Sequence, residues 1–242
     1  MIALFTDFGL AGPYTGQVKA VLARQAPGVP VVDLFSDLPA GEAKFAAYLL
    51  SAYDRWFSPP IVFLAVVDPG VGSARRAVVV EADERFYVGP ENGLFELVLR
   101  RAHTARAWEI EWRPQLLSAS FHGRDLFAPV AARLSIRGAD AEILRAAELA
   151  RMPDWPDDLP AIVYLDHYGN ALTGLRAAAV PPMARLAAGG RVLHHARTFA
   201  EVPEGQAFWY ENANGLAEVA VNRGNAGAVL GLAVGSPVEI IP

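Results

Sequence analysis

The chain has 242 residues, of which 53% are hydrophobic and 19% are charged, and its formal net charge is −5. This length predicts one large domain or two modest ones, and the apolar content excludes an intrinsically disordered chain. The acidic balance argues against nucleic-acid binding, which needs clustered basic residues, and the lack of cysteine excludes disulfides, thiolate metal sites and a cysteine nucleophile.

Hydropathy gives no sign of a membrane segment. The longest unbroken apolar run, residues 61–67, is far shorter than the roughly 20 residues that a membrane helix needs. Residues 1–10 contain no basic stretch and include Asp7, so they do not have the pattern of a signal peptide. We therefore expect a cytoplasmic protein with no membrane partner.

The first 150 residues alternate between strand and helix patterns. In chain order, the predicted strands are residues 2–6, 29–35, 61–67, 77–81 and 85–88, and the predicted helices are residues 14–25, 40–56, 94–101, 124–136 and 141–150. The run at 61–67 is apolar on both sides of the pleat, which is typical of a strand covered on both faces. The alternation predicts an α/β domain with a mainly parallel central sheet.

Residues 152–160 hold three prolines and three aspartates, which predicts a linker between domains at 1–151 and 161–242. Beyond this segment, short β-prone runs at 161–165, 191–194, 208–210, 216–221 and 237–241 are separated by glycine-rich turns. Short strands at this spacing predict a small all-β, barrel-like domain.

Candidate catalytic residues in the first domain follow predicted strands or precede a helix. Asp7 and Asp68 each follow a strand, and ligands of α/β sheets bind outside the carboxyl ends of strands. Arg75 is placed to pair with Asp68, although a surface loop with solvated arginines remains an alternative. His122 precedes a predicted helix. A metal site of Asp7, Asp68 and His122 is a further alternative, disfavoured by the nearby Arg75.

Loops of the second domain combine acids, amides and aromatic rings. Residues 166–170 follow a predicted strand, residues 211–215 link two strands, and Phe199 lies between them in sequence. Aromatic and amide side chains suit a flat heteroaromatic ligand such as adenine. The alternative is that the aromatic rings form ordinary barrel core.

Six motifs occur together in a characteristic order. They are residues 6–9 (TDFG), 67–76 (VDPGVGSARR), 90–93 (PENG), 121–129 (FHGRDLFAP), 166–170 (DHYGN) and 211–216 (ENANGL). In this combination the chain resembles the S-adenosyl-L-methionine (SAM) hydroxide adenosyltransferases, which are adenosine-forming SAM hydrolases. These are relatives of the fluorinating and chlorinating SAM enzymes. The resemblance runs over nearly the whole chain.

The resemblance implies an N-terminal α/β domain, a C-terminal β-barrel and a homotrimer with sites shared between subunits. It implies that SAM is the substrate and that no cofactor or metal is needed. It implies a catalytic set of Asp68, Arg75 and His122 that handles the attacking water. The substrate-binding residues it implies are Asp7 (for the ribose hydroxyls), Phe8, Asp166, Tyr168, Asn170, Phe199 and Asn212.

Two comparisons within the family bear on the reaction. The halide-transferring members have Tyr at the positions of Asp68 and His122, and a carboxylate beside a bare halide is repulsive, so this chain favours water over halide. Gly12, Gly174 and Ala213 stand where the family has side chains near the methionine end. A nucleoside-binding protein with negligible turnover therefore remains an alternative, as does a SAM:halide adenosyltransferase.

Overall fold

In the computed structural model, which describes residues 1–140, 142–181 and 183–242, the chain divides into two units, Met1–Met152 and Pro153–Pro242. Each unit is built around a seven-stranded sheet. None of the helices in the described part of the chain is long and apolar enough to cross a bilayer.

The first unit contains strands and helices in alternation up to its middle. Its strands are β1 (Ile2–Thr6), β2 (Val31–Phe35), β3 (Ile61–Val66), β4 (Ala77–Ala82), β5 (Arg85–Pro90), β6 (Ala105–Ile110) and β7 (Leu144–Ala146). Its α-helices are α1 (Tyr14–Gln25), α2 (Ala43–Tyr53), α3 (Glu96–Arg101) and α4 (Ala128–Arg137), and one π-helical turn, Gly123–Phe127, precedes α4.

The sheet of the first unit is mixed, so the prediction of a mainly parallel sheet is wrong. Its strand order is β2-β1-β3-β5-β4-β6-β7, and the pairs from β2 to β5 are parallel whereas those from β5 to β7 are antiparallel. The reversal begins at Asp83 and Glu84, which join β4 to β5 with positive φ angles of 45° and 64°. Such a two-residue turn forces antiparallel pairing.

The end of the first unit also differs from the prediction. Of the segment predicted as a helix at 141–150, residue 141 lies outside the described residues, and Leu144–Ala146 forms strand β7. This strand pairs with β6, whose edge is otherwise unpaired, with Trp108 opposite Ala146. Ile143 and Leu144 are buried by that pairing. The apolar residues therefore serve an edge strand rather than one face of a helix.

The apolar core of the first unit lies between the sheet and the helices α1 and α4. Alternate residues of β1 and β3, such as Leu4 and Leu64, belong to the same apolar cluster as Leu22 of α1 and Val130 of α4. All five residues of β1 and all six of β3 are buried. These two central strands form a rigid support for the residues that follow them.

One glycine of this sheet is required by a close approach between strands. A Cβ added to Gly89 in β5 would lie 2.1 Å from the carbonyl oxygen of Ala65 in β3. We expect Gly89→Ala to lower the free energy of unfolding by about 1–3 kcal/mol or more, as overpacking does. Gly16→Ala in α1, where nothing lies within 4 Å, should instead raise it slightly. Urea unfolding of both variants tests this; equal effects would contradict it.

The second unit is sheet-rich, as predicted. Its strands are β8 (Leu159–Leu165), β9 (Ala171–Arg176), β10 (Arg185–Ala188), β11 (Arg191–His195), β12 (Ala207–Glu211), β13 (Leu216–Val221) and β14 (Glu239–Ile241), with one α-helix, α5 (Ala226–Leu230). Strand β8 begins inside the segment predicted as a linker.

The second sheet has the order β14-β10-β11-β12-β13-β9-β8. All its pairs are antiparallel except β11 with β12, which are parallel. An isolated bridge between Ala161 and Pro237 joins edge strand β8 to the segment before β14. The sheet is therefore curved into a half-barrel around the apolar core of the unit.

Candidate active site

The carboxyl ends of β1 and β3 place Asp7 and Asp68 at the same edge of the first sheet. Thr6 and Val66 are paired in the parallel register, and the N–H of Asp7 donates to the carbonyl of Val66 at 3.4 Å. The side chain of Asn92 donates to the carbonyl of Val67 at 2.8 Å and so holds the exit of β3. The two acids therefore lie where the sequence predicted, outside the strand ends.

Asp68, Arg75 and His122 form one hydrogen-bonded cluster. Arg75 Nε donates to Asp68 Oδ1 at 2.9 Å, Arg75 Nη2 pairs with Asp68 Oδ2, and the same Nη2 lies 3.0 Å from His122 Nδ1. The side chains of Arg75 and Asp68 are only 11% and 6% exposed. The guanidinium carbon of Arg75 also lies 5.2 Å from the ring centroid of Phe127. Burial and two-point pairing hold this ion pair in one geometry.

The glycines of the 68–76 loop let it approach the segment before His122. Gly72 has a φ of +79°, and a Cβ added there would lie 2.6 Å from the carbonyl oxygen of Ala119. On the other side of that segment, Asp125 accepts a hydrogen bond from the backbone N–H of Ser118 at 3.0 Å. These contacts set the position of His122 relative to Arg75.

The contact with Arg75 defines the tautomer of His122. A guanidinium has only donors, so Nδ1 of His122 accepts the hydrogen bond and the proton of the neutral ring is on Nε2. Burial lowers the pKa of His122 below its ordinary 6.5, and the charge of Arg75 lowers it further, while Asp68 opposes both. At neutral pH the ring therefore carries an Nε2–H donor and no charge.

Asp7 is a partly buried carboxyl beside this cluster. Its Oδ2 accepts a hydrogen bond from the backbone N–H of Gly41 at 2.9 Å. Burial raises the pKa of Asp7 above 3.8, the hydrogen bond from Gly41 opposes the rise, and the charge of Asp68 adds to it. Donors from a ligand would favour the ionised form of Asp7.

A cavity of about 180 Å³ lies among these side chains and is lined by Asp7, Phe8, Asp68, Val71, Phe121 and His122. The rings of Phe8 and Phe121 meet edge to face with centroids 5.6 Å apart. A Cβ added to Gly123 would lie 2.7 Å from Cζ of Phe8. Glycine at 123 therefore permits the observed position of the Phe8 ring.

A second cavity, of about 770 Å³, lies in the second unit. Its lining includes Asp166, Tyr168, Asn170, Phe199 and Tyr210. Four of the five substrate-binding residues predicted in this unit therefore share one cavity. The rings of Phe199 and Tyr210 lie 5.4 Å apart, whereas Tyr168 is 75% exposed at the rim.

Asp166 organises the turn that carries Asn170. Its Oδ1 accepts from the backbone N–H groups of Tyr168 at 2.9 Å and of Asn170 at 2.8 Å, and its Oδ2 accepts from Asn170 Nδ2 at 3.2 Å. A Cβ added to Gly169 in this turn, where φ is +82°, would lie 2.1 Å from Asn225. The turn is thus fixed by its own hydrogen bonds and by close packing.

Asn212, the fifth residue predicted here, does not line the cavity in the part of the chain that the structure describes. Its Oδ1 accepts from the backbone N–H groups of Asn214 and Leu216, and its Nδ2 donates to Glu218 at 2.8 Å. Gly174 likewise serves packing, since a Cβ there would lie 2.7 Å from the Cβ of Leu159. A side chain at 174 has no path to a ligand without moving β8.

Glu218, which is only 4% exposed in β13, is not among the residues predicted from the sequence. Burial raises the pKa of Glu218 above 4.5, and hydrogen bonds from Tyr210, Asn212 and Asn170 oppose that rise. One signal was available: Glu218 is the only charged residue in a strand that is otherwise apolar. Buried carboxylates are rare unless they are paired or functional.

Metal ligation finds no support in the described residues, where no group of three or more His, Asp or Glu side chains has the geometry to hold an ion. Asp68 and His122 both contact Arg75, whose positive charge disfavours a cation beside them.

The protein has two domains. The α/β unit carries an Asp–Arg–His cluster at its strand ends, and the half-barrel unit carries a cavity lined by amide and aromatic side chains. Both cavities suit a polar small molecule. The chain belongs to the SAM hydroxide adenosyltransferase family, as its motifs predicted. The model of that family's N-terminal domain matches residues 2–144, and the model of its C-terminal domain matches residues 160–239.

Curated relatives are similar over the full chain. A protein from Thermus thermophilus named (R)-S-adenosyl-L-methionine hydrolase is 42% identical, covering 99% of both chains, and one of the same name from Salinispora arenicola is 37% identical over 99% of this chain and 97% of its own. A fluorinase from Nocardia brasiliensis is 22% identical over 72% of this chain and 71% of its own.

Two solved structures share the fold of this chain. A conserved protein from Thermotoga maritima matches with a TM-score of 0.88 at 29% identity over 100% of both chains. A second, from Thermus thermophilus, matches with a TM-score of 0.79 at 40% identity over 99% of both chains.

Proposed function

We propose that this protein hydrolyses SAM to adenosine and L-methionine by in-line attack of water on C5′ of the substrate. The observation that carries the proposal is the hydrogen-bonded Asp68–Arg75–His122 cluster at the edge of a small cavity. The (R)-SAM hydrolases to which the chain is 34–42% identical support the same substrate. Their names also specify the (R) configuration at sulfur, and we extend the proposal to that epimer.

The cluster addresses the difficult part of this reaction. A sulfonium leaves without being protonated, whereas water is a weak nucleophile that must reach C5′ in line. Positioning the water in a closed site raises the reaction rate most when the reacting atoms are held at near-attack distance. A general base that accepts a proton typically raises the reaction rate by a further factor of roughly 10²–10⁴.

We assign the role of proton acceptor to Asp68. His122 presents an Nε2–H, which is a donor, so it orients the water oxygen and cannot accept its proton while Arg75 occupies Nδ1. Arg75 orients the Asp68 carboxylate through two hydrogen bonds. The O–C5′ bond forms, the C5′–S bond breaks with its electron pair on sulfur, and the water proton passes to Asp68 and then to solvent.

The remaining residues hold the substrate in this proposal. Asp7 binds the ribose hydroxyls and Phe8 covers the sugar face, which fits their position in the lining of the cavity beside the cluster. In the second unit Asn170 and Phe199 bind the nucleobase, and Asp166 and Tyr168 line the same cavity. Asn212 acts behind the cavity by holding its turn.

Product analysis in ¹⁸O-water tests the function. The protein is incubated separately with the (R) and (S) sulfonium epimers of SAM. The products are separated by chromatography, and their masses are measured by mass spectrometry. We expect methionine and adenosine labelled at the 5′-hydroxyl, at an unchanged rate with a chelator present. Unlabelled adenosine, or a 5′-halonucleoside as the main product in chloride, would overturn the proposal. Thermal shift by adenosine without any turnover would support a nucleoside-binding protein instead.

The pH dependence of hydrolysis should show an acid limb below the ordinary pKa of histidine. Protonated His122 cannot accept the hydrogen bond from Arg75, and burial holds the pKa of His122 below 6.5, so activity falls only when the pH drops below that value. In His122→Gln this limb should be absent, because glutamine does not titrate. His103→Gln, at a side chain that is 94% exposed, should leave the profile unchanged. A limb centred above 6.5 in the native protein would contradict this role.

The assembly is a further part of the proposal. We propose a homotrimer, and light scattering should then give three times the chain mass of 26.0 kDa. A fully active species with the mass of one chain would overturn this part alone.

A further inference from the structure

Strand β13 carries a single charged side chain, Glu218, among five apolar residues. The side chain is almost completely buried, with 4% exposed. Burying a carboxylate is unfavourable unless donors surround it, and an apolar residue of similar size would serve packing better. The donors around Glu218 therefore indicate what it does.

Glu218 lies on the face of β13 that is turned away from the main core of the second unit. Successive residues of a strand face opposite sides of the sheet. One side of β13 packs into that core with Ala217, Val219 and Val221. Glu218 is on the other side, directly opposite Tyr210 in the antiparallel register with β12. Tyr210 lines the 770 Å³ cavity, so Glu218 lies directly behind the cavity wall.

Among the described residues, the side chains that donate to Glu218 belong to this wall or to the turn beside it. Tyr210 Oη donates to Oε1 at 2.5 Å, and Asn212 Nδ2 donates to Oε2 at 2.8 Å. The amide of Asn170 also interacts favourably with the carboxylate and opposes the rise of its pKa. An ionised carboxylate only accepts hydrogen bonds, so both amides must turn their N–H groups toward it.

The orientation of Asn170 follows from this arrangement. Its Nδ2 also donates to Asp166 Oδ2 at 3.2 Å, so two carboxylates attract the same end of the amide. Its Oδ1 accepts no hydrogen bond from the residues that the structure describes. Asn170 is 7% exposed and lines the cavity, and its carbonyl oxygen is therefore the acceptor available to a ligand.

We propose that Glu218 is a positioning residue that fixes the hydrogen-bond polarity of this cavity, so that it selects a nucleobase with an amino group over one with an oxo group at the same position. The inference rests on the proposed function only in taking a nucleobase as the ligand. An adenine amino group donates to Asn170 Oδ1, whereas the oxo group of hypoxanthine places an acceptor against an acceptor. A site built to bond one such group rejects its counterpart strongly.

The native protein provides the first test. Calorimetry with adenosine and with inosine measures discrimination without turnover, and we expect adenosine to bind at least about tenfold more tightly, which is the value of one good hydrogen bond. Equal binding of the two nucleosides would overturn the inference without any variant. If neither nucleoside binds and SAM is not hydrolysed, the proposed function fails with it.

Glu218→Gln provides the second test, since it keeps the shape and removes the charge. A neutral amide both donates and accepts, so only the hydrogen bond to Asp166 still favours the native orientation of Asn170. We expect the ratio of KM for the 6-oxo analogue of SAM to KM for SAM to fall at least about tenfold, with kcat for SAM within about threefold of native. Glu211→Gln, at the exposed acid of β12, is the matched control and should change neither constant.

A purely structural role for Glu218 predicts a different result. In that case Glu218→Gln would have a lower melting temperature, and the ratio of its affinities for adenosine and inosine would keep the native value. That outcome would overturn the inference and leave SAM hydrolysis intact. If the variant does not fold, equal binding of the two nucleosides by the native protein would still overturn the inference.

Discussion

Asp68→Asn should lower kcat for SAM hydrolysis by about 10²–10⁴-fold, the contribution typical of a general base. The amide has nearly the shape of the carboxylate but cannot take the proton of the attacking water. Arg75 keeps further contacts with His122 and the ring of Phe127, so the site should stay assembled. Single-turnover release of adenosine measures the effect on chemistry separately from substrate binding.

The matched control is Asp33→Asn, which removes an acid of β2 that is 43% exposed and pairs with Lys19. This variant should keep native kcat. Calorimetry should show that Asp68→Asn still binds adenosine, since Asp7 and the cavity of the second unit are unchanged. A loss of less than about threefold in kcat would remove Asp68 as the proton acceptor and leave water positioning as the main contribution.

Much of the first unit was accessible to sequence patterns because its decisive features are local. The apolar runs of β1 and β3, the helical spacing of α1 and the polar residues after each strand are all encoded within a few neighbouring positions. The missed strands β6 and β7 lack such a signal. Five of the six residues of β6 are partly or fully exposed, and β7 is three residues long, so only pairing with neighbouring strands defines them.

In the candidate site, too, local sequence patterns predict contacts within one loop but not contacts that depend on strand pairing. The ion pair of Asp68 with Arg75 was predictable because seven positions separate them within one loop. The place of Asn212 behind the second cavity, rather than on its wall, was not predictable. It depends on the register that sets Tyr210 opposite Glu218, and a shift of one residue would exchange the two faces of β13.

At Gly174, comparison with the family and the packing of the structure give different reasons for the glycine. Gly174 stands where the family has a side chain near the methionine end of the substrate, but contact with Leu159 in β8 gives the packing reason for glycine there. This position therefore carries no information about affinity for the amino-acid end of SAM. Gly12 and Ala213 still leave that affinity as an open prediction, for which binding of SAM to Asp68→Asn is the direct measurement.

Arg75→Met should lower the free energy of unfolding by about 3–5 kcal/mol, because it leaves Asp68 buried without its partner. Urea unfolding followed by the fluorescence of the five tryptophans measures this. Arg106→Met is the matched control. Arg106 pairs with Glu81 in β4 but is 68% exposed, and exposed pairs contribute only about 0–1 kcal/mol.

The double variant Asp68→Asn with Arg75→Met separates stability from catalysis. Removing both charges leaves no uncompensated ion, so its stability should recover most of what Arg75→Met loses, giving a coupling of more than about 1 kcal/mol between the two sites. Its kcat should nevertheless remain as low as that of Asp68→Asn, since the base is absent. Additive losses of stability would show that the pair is not held as the structure describes, and recovery of kcat would show that Asp68 does not accept the proton.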